Sequence, residues 1–185
     1  MSTVEIIAAL LGVINVVLVV RRSIWNYPFA LAMVSLYFFV FWDSKLYSDA
    51  LLQIFFVAIN CYGWWNWSRA ATVGSGVAVG WMDRRAQAMW LGGTIAAAIM
   101  WGTIMARLTD AAAPYADATI AAMSIAAQSL QSLRRVESWI LWIAVDVLAI
   151  GLFAWRGLNV TAALYAIFLV LAIAGLAQWK RNVTR

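Results

Sequence analysis

The stretch 138–155, SWILWIAVDVLAIGLFAW, carries a single ionisable side chain, Asp146, in an otherwise apolar run flanked by arginines at 135 and 156. A helix needs about 20 predominantly apolar residues to cross the hydrocarbon core of a bilayer, so this run is long enough for one passage. Six more runs fill nearly all of the remaining chain: 4–20, 24–42, 46–65, 88–106, 117–133 and 158–179. Backbone groups in lipid must find partners within their own segment, which a helix provides and an open strand does not. The sequence therefore predicts an all-α membrane protein with seven transmembrane helices, one membrane domain over 1–185. The fifth run is the most polar, with Gln128, Ser129, Gln131 and Ser132 at its end; taken alone it also reads as an interfacial helix.

Composition points the same way. With 65% hydrophobic and 11% charged residues, 185 residues cannot wrap a single core in a water-soluble surface. The net charge of +5 matches the basic excess that cytoplasmic loops carry, without a nucleic-acid partner. Arg21, Arg22, Arg69, Arg84, Arg85, Arg134, Arg135, Lys180, Arg181 and Arg185 fall on one side of seven spans, and only Lys45, Arg107 and Arg156 on the other. This bias predicts an outside N-terminus and a cytoplasmic C-terminus. The start at Val4 is apolar without a basic flank or cleavage site, so it is expected to stay as a helix.

An internal repeat is visible at a shift of 112 residues. Ala50, Leu52, Phe56, Gly63 and Trp67 fall on Ala162, Leu164, Phe168, Gly175 and Trp179, and Ala32, Leu36, Phe41 and Leu46 on Ala144, Leu148, Phe153 and Leu158. One residue more places Arg21 and Arg22 on Arg134 and Arg135. Two parallel three-helix repeats, 4–67 and 117–179, require an odd helix between them to restore orientation, and 88–106 supplies it. The expected plan is 3+1+3, with a central site between repeats.

Several polar residues could line such a site. Trp139, Trp142 and Asp146 stand at i, i+3 and i+7 on one helical face. Asp146 lies eleven residues beyond Arg135, roughly 16 Å of helix, near the bilayer midplane. A charge there costs about 2.5 to 3.5 kcal/mol on insertion scales, so it belongs against a polar cavity or another helix. Trp139 is shallower and by itself reads as interfacial, as do Trp64, Trp65, Trp67 and Trp179. In the third run Asp49, Gln53 and Asn60 form a polar stripe, with Gln53 opposite Tyr165 in the repeat and Asp49 placed as a helix-start residue. Glu5, Ala8, Gly12 and Asn15 form a narrow face of small and polar residues in the first run, and close helix packing accounts for Gly12 more simply than a substrate does.

A carboxylate beside indole faces suits an organic cation. Other functions fit less well. The absence of histidine removes the common metal, triad and proton-relay chemistries, which disfavours an intramembrane enzyme. A retinal Schiff base needs a lysine inside the last helix, whereas Lys45 and Lys180 are at span ends. A purely structural subunit leaves a midplane carboxylate beside aligned tryptophans unexplained. No cofactor is expected.

The run Ser23 to Trp67, with IWNYPFALAMVSLYFFVFWDSKLYSDALLQIFFVAINCYGWWNW, resembles the first half of the PnuC-type nicotinamide riboside transporters, including the KLY, LLQ and YGWW elements. Residues 114–180 resemble the second half, with ESWILW at the family's ENWxxW signature. The resemblance covers nearly the whole chain. It implies the 3+1+3 fold, homotrimers in the cytoplasmic membrane, and facilitated diffusion of an unphosphorylated vitamin that is trapped by phosphorylation inside. Carried over, Trp139, Trp142, Gln53, Asn60 and Tyr165 are the implied vitamin contacts. Ser138 stands where the signature has Asn, and Asp146 where members often carry Asn, which keeps the thiamine-transporting branch as an alternative. Both vitamins are cations.

Overall fold

The computed structural model describes residues 3–43, 47–72, 76–109 and 112–183. Among them are seven helices: α1 Thr3–Val20, α2 Asn26–Asp43, α3 Tyr47–Ala70, α4 Arg84–Leu108, α5 Pro114–Ser132, α6 Glu137–Trp155 and α7 Asn159–Arg181. Each coincides with one of the predicted runs. Two differences stand out. α3 continues about one turn past the expected end at 65, and the expected loop 68–87 contains an antiparallel hairpin, β1 Ala71–Thr72 with β2 Gly76–Val77. Lys45, Arg185 and the side chain of Asp49 lie outside the described residues. By length and composition α1, α4, α6 and α7 are apolar enough to cross a membrane. α3 and α5 owe their lower hydropathy partly to amides and hydroxyls, and their packing explains why these are tolerated.

Local chemistry sets the helix ends. Asp83 caps α4, its carboxylate accepting from the Ala86 amide at 2.8 Å, and Pro114 opens α5 where its missing N–H has no helical partner to lose. α1 and α5 end in the same turn. The amides of Arg22 and Ser23 donate to the carbonyls of Val19 and Leu18, both at 2.9 Å. Those of Arg134 and Arg135 donate to Gln131 and Leu130 at 2.9 and 2.8 Å. This motif needs a left-handed residue, and Arg22 (φ 54°) and Arg134 (φ 62°) adopt it without being glycine. Their carbonyls accept from the Val77 and Gly80 amides of the α3–α4 linker, which helps to hold the strained residues in place.

Six helices close into a ring, α1–α2–α3–α5–α6–α7 and back to α1, while α4 packs outside against α5. α5 is packed between α3, α4 and α6. Its Ala118, Ala122, Ala126 and Ala127 are buried, and such small residues let neighbouring backbones approach closely. The outer surface carries exposed Leu10, Phe39, Leu51, Ile95, Ile140 and Val170, an apolar exterior suited to lipid rather than water.

One end of the ring is plugged. Val19, Tyr27, Trp67, Val77, Val79, Val136, Trp139, Ala172 and Trp179 form a buried cluster. Trp67 and Trp179, expected in an interfacial belt, are instead fully buried. Each indole N–H is satisfied across the ring: Trp67 donates to the Gln131 carbonyl (3.2 Å) and Trp179 to the Val19 carbonyl (3.1 Å). Trp139 is not interfacial either, being 1% exposed. Of the tryptophans expected in the belt, Trp64 and Trp65 keep an exposed face.

Contacts in this plug recur 112 residues later. Tyr27 meets Trp67 edge-on (5.4 Å, 89°) as Trp139 meets Trp179 (5.5 Å, 88°). Gly63 lies against Tyr27 as Gly175 lies against Trp139, and Arg22 matches Arg134 in backbone without the extra residue that the Arg pairs suggested. The C-terminal ends of α1, α3, α5 and α7 share this end, gathering Arg21, Arg22, Arg69, Arg134, Arg135, Lys180 and Arg181. Towards the opposite end Arg156 pairs with Asp117 at 2.7 Å; such partly exposed pairs contribute about 0 to 1 kcal/mol at most.

Candidate functional site

The ring encloses a cavity of about 460 Å³ to which all six ring helices contribute. α1 supplies Glu5, Gly12, Asn15 and Val19; α2 supplies Met33, Tyr37 and Phe41; α3 supplies Gln53. α5 adds Gln128 and Gln131, α6 adds Trp139, Trp142, Asp146 and Phe153, and α7 adds Thr161, Leu164, Tyr165 and Phe168. A shallower hollow between α4 and α5, lined by Met89, Trp90, Ala122 and Ile125 among others, carries no ionisable side chain.

Helical periodicity delivers these groups to the interior. Trp139, Trp142 and Asp146 do share one inward face of α6, and Asp146 is 3% exposed. The Trp142 indole N–H donates to Gln131 Oε1 at 3.0 Å, which fixes the ring plane against α5. Trp139 packs on Trp179 and on the bare backbone of Gly175, where a Cβ would come within 2.6 Å of the ring. Tyr165 sits between Phe153 (5.3 Å) and Phe168 (6.0 Å), so its ring has little freedom.

Five of the six sequence-predicted site residues, Gln53, Trp139, Trp142, Asp146 and Tyr165, line this one cavity. Asn60 does not. Its amide donates to the Phe56 carbonyl (2.8 Å) and its Oδ1 accepts from Gln128 Nε2 (3.0 Å), so it orients a lining residue from behind. Sequence reasoning missed Gln128, Gln131, Glu5 and Asn15 as lining groups. The two glutamines had made α5 look a poor span, and their i, i+3 spacing was the available signal. Gly12 packs against Met33 and Phe168, as the small-residue face suggested, but its polar neighbours Glu5 and Asn15 turn into the cavity.

Among the described residues the lining has two carboxylates, Glu5 and Asp146, and no lysine or arginine. Aromatic faces surround them. Such a chamber attracts an organic cation electrostatically and offers ring faces for stacking, more strongly where water is excluded.

A family model described as nicotinamide mononucleotide transporter matches residues 2–181. The chain belongs to this family. It is 28% identical over 204 residues to the nicotinamide riboside transporter PnuC of Escherichia coli (strain K12), covering 97% of this chain and 85% of that protein. It is 31% identical over 192 residues to the PnuC of Neisseria mucosa, covering 97% and 72% respectively. The riboflavin/roseoflavin transporter RibM of Streptomyces davaonensis is 28% identical over 181 residues, covering 95% and 83%. A solved structure described as the vitamin B3 transporter PnuC superposes with a TM-score of 0.81 at 28% identity, covering 97% of this chain and 81% of that one. The chain is accordingly a multi-pass membrane transporter, not an enzyme.

Proposed function

We propose that this family member carries nicotinamide riboside across the cytoplasmic membrane by facilitated diffusion, for capture by phosphorylation inside. The observation that carries this reading is the aromatic cavity whose described lining holds the carboxylates of Glu5 and Asp146 and no basic group. A pyridinium nucleoside supplies the matching positive charge. The names of the PnuC relatives support the same substrate. Riboflavin, the subject of the RibM relative's name, has an uncharged ring system and needs no countercharge from the carboxylates. Thiamine is a cation too, so titration of purified protein with all three vitamins is the deciding measurement. Nicotinamide riboside is expected to bind tightest; a clear preference for either other vitamin overturns the assignment. Uptake into metabolically inert vesicles is expected to stop at equal concentrations. Accumulation driven by a proton or sodium gradient would contradict facilitated diffusion.

The same reading takes all seven helices as spans arranged 3+1+3, with homotrimers on the family resemblance. The paired contacts 112 residues apart and the outlying position of α4 support the repeat. The basic residues gathered at the plugged end support a cytoplasmic location for that end and an outside N-terminus. A periplasm-active reporter fused after Arg107 is then expected to be active, and a cytoplasmic signal there would reverse the topology.

A further inference from the structure

The ESWILW stretch sends Trp139 and Trp142 to the cavity, but its first residue, Glu137, does not line it. Glu137 is buried in the first turn of α6 and faces the linker between α3 and α4. Its Oε1 accepts two hydrogen bonds, from the Met82 amide at 2.7 Å and from Gln87 Nε2 at 2.8 Å. Gln87 Nε2 also donates to the Met82 carbonyl at 3.2 Å. Met82 is thus held at both its amide and its carbonyl, by a carboxylate on α6 and an amide on α4. Hydrogen bonds to an ionised acceptor are roughly twice as strong as neutral ones, so this is a firm anchor.

Upstream of the anchor the linker crosses the plugged end as a strap. The Gly80 amide donates to the Arg134 carbonyl at 3.2 Å, and the Gly80 carbonyl accepts from the Val136 amide at 3.1 Å. Further on, the Val77 amide donates to the Arg22 carbonyl at 3.3 Å. Arg22 and Arg134 hold matching left-handed positions in the two halves, so the strap runs from one half to the other. Val77 and Val79, 1% and 3% exposed, enter the buried cluster that contains Val19, Trp139 and Ala172. Those three also line the cavity. The strap valines therefore lie one layer behind the cavity floor. Substrate that leaves by the plugged end has to pass this layer, and the strap is a part of it that belongs to no helix.

We infer that Glu137 is a positioning residue for transport, which seats the 77–82 strap and so shuts the plugged end of the cavity. The inference rests on the proposed function and deepens it by naming what closes one end. Glu137 touches no substrate; it acts through Met82 on the valines behind the floor. Closure around a site depends on a few linker residues that hold or release a mobile element, and each transport cycle has to restore it. With the anchor removed, Val77 and Val79 leave the cluster more often and the plugged end is slow to shut. The cavity lining keeps its side chains, so binding persists while turnover falls.

The test places a thiol in the strap. In a Cys61→Ser background, which removes the chain's one cysteine, Val79→Cys is buried when the strap is seated. Glu137→Ala is expected to speed its alkylation by a water-soluble maleimide about tenfold, as fits the loss of charge-assisted hydrogen bonds. Glu137→Gln keeps an acceptor oxygen for Met82 and Gln87 and puts its NH₂ where Oε2 is buried without a partner among the described residues, so it is expected to restore slow alkylation. Gln87→Ala, which removes one of the two bonds, is expected to fall between and decides the matter if Glu137→Ala does not fold. In vesicles, Glu137→Ala is expected to slow nicotinamide riboside uptake markedly while the Kd of the purified protein stays near that of wild type. Alkylation no faster in the folded variants, or equally fast in Glu137→Gln and Glu137→Ala, overturns the strap anchor. Loss of binding in step with uptake marks a general structural role and overturns it as well. Failure of wild type to bind nicotinamide riboside overturns the proposed substrate, whereas the thiol measurement needs no substrate and still decides the strap.

Discussion

Asp146→Asn is expected to weaken binding of a cationic vitamin by about 1 to 3 kcal/mol, roughly 5- to 150-fold in Kd. The substitution keeps size and hydrogen-bonding capacity but removes the countercharge from a cavity whose described lining holds no basic residue. Among the described residues no side chain donates to this carboxylate, so its loss orphans no internal partner. A structural role predicts the reverse: replacing a costly buried ionisable group by a neutral one leaves affinity alone and the fold unharmed or stabilised. Trp142→Phe provides the companion measurement. It retains an aromatic face, weakens the cation–π attraction and breaks the 3.0 Å bond to Gln131, so affinity for the cation falls again. Riboflavin, lacking the charge, is expected to respond weakly to Asp146→Asn. Unchanged affinity for both cationic vitamins in folded Asp146→Asn protein would reject the cation-site account.

The helices were legible in the sequence because the bilayer imposes a length and a composition that few other environments share. The inward face of α6 was legible for a related reason: a buried carboxylate at i+7 from a tryptophan has one helical side available to it. What lay hidden was context. Trp67 and Trp179 carry the same residue label and nearly the same depth as belt tryptophans. Only the carbonyls of Gln131 and Val19 on other helices, which satisfy their N–H groups, distinguish plug from belt. Gln128 and Gln131 lowered the hydropathy of α5 for the reason that makes them useful, namely that they face an internal cavity. Asn60 lies behind the lining rather than in it, and spacing along α3 does not reveal that its oxygen is occupied by Gln128. Periodicity assigns a face; the partner across that face comes from packing alone.

The second large effect is expected at Gly175. A Cβ there would lie 2.6 Å from Cη2 and Cζ2 of Trp139 and 2.7 Å from Cε2. The ring cannot swing away freely, because it is 1% exposed and held edge-on by Trp179 at 5.5 Å. Overpacking of this kind costs about 1 to 3 kcal/mol, and here the displaced group also walls the cavity. Gly175→Ala is therefore expected to lower the thermal midpoint and, per folded molecule, to raise the Kd for nicotinamide riboside. Gly63 offers the matched comparison. Its Cβ would lie 2.6 Å from Tyr27 Oη and 2.7 Å from Ser132 Oγ, an equal intrusion at the position 112 residues earlier. Tyr27 and Ser132 do not line the cavity, so Gly63→Ala is expected to destabilise without an equivalent loss of affinity. Gly151→Ala, with nothing within 4 Å, serves as the neutral case. Combining Gly175→Ala with Trp139→Phe restores space and is expected to recover stability but not binding. The thermal midpoint and the titrated Kd thus separate the plug's two functions, and a folded Gly175→Ala protein with unaltered affinity would show that Trp139 serves only to close the ring.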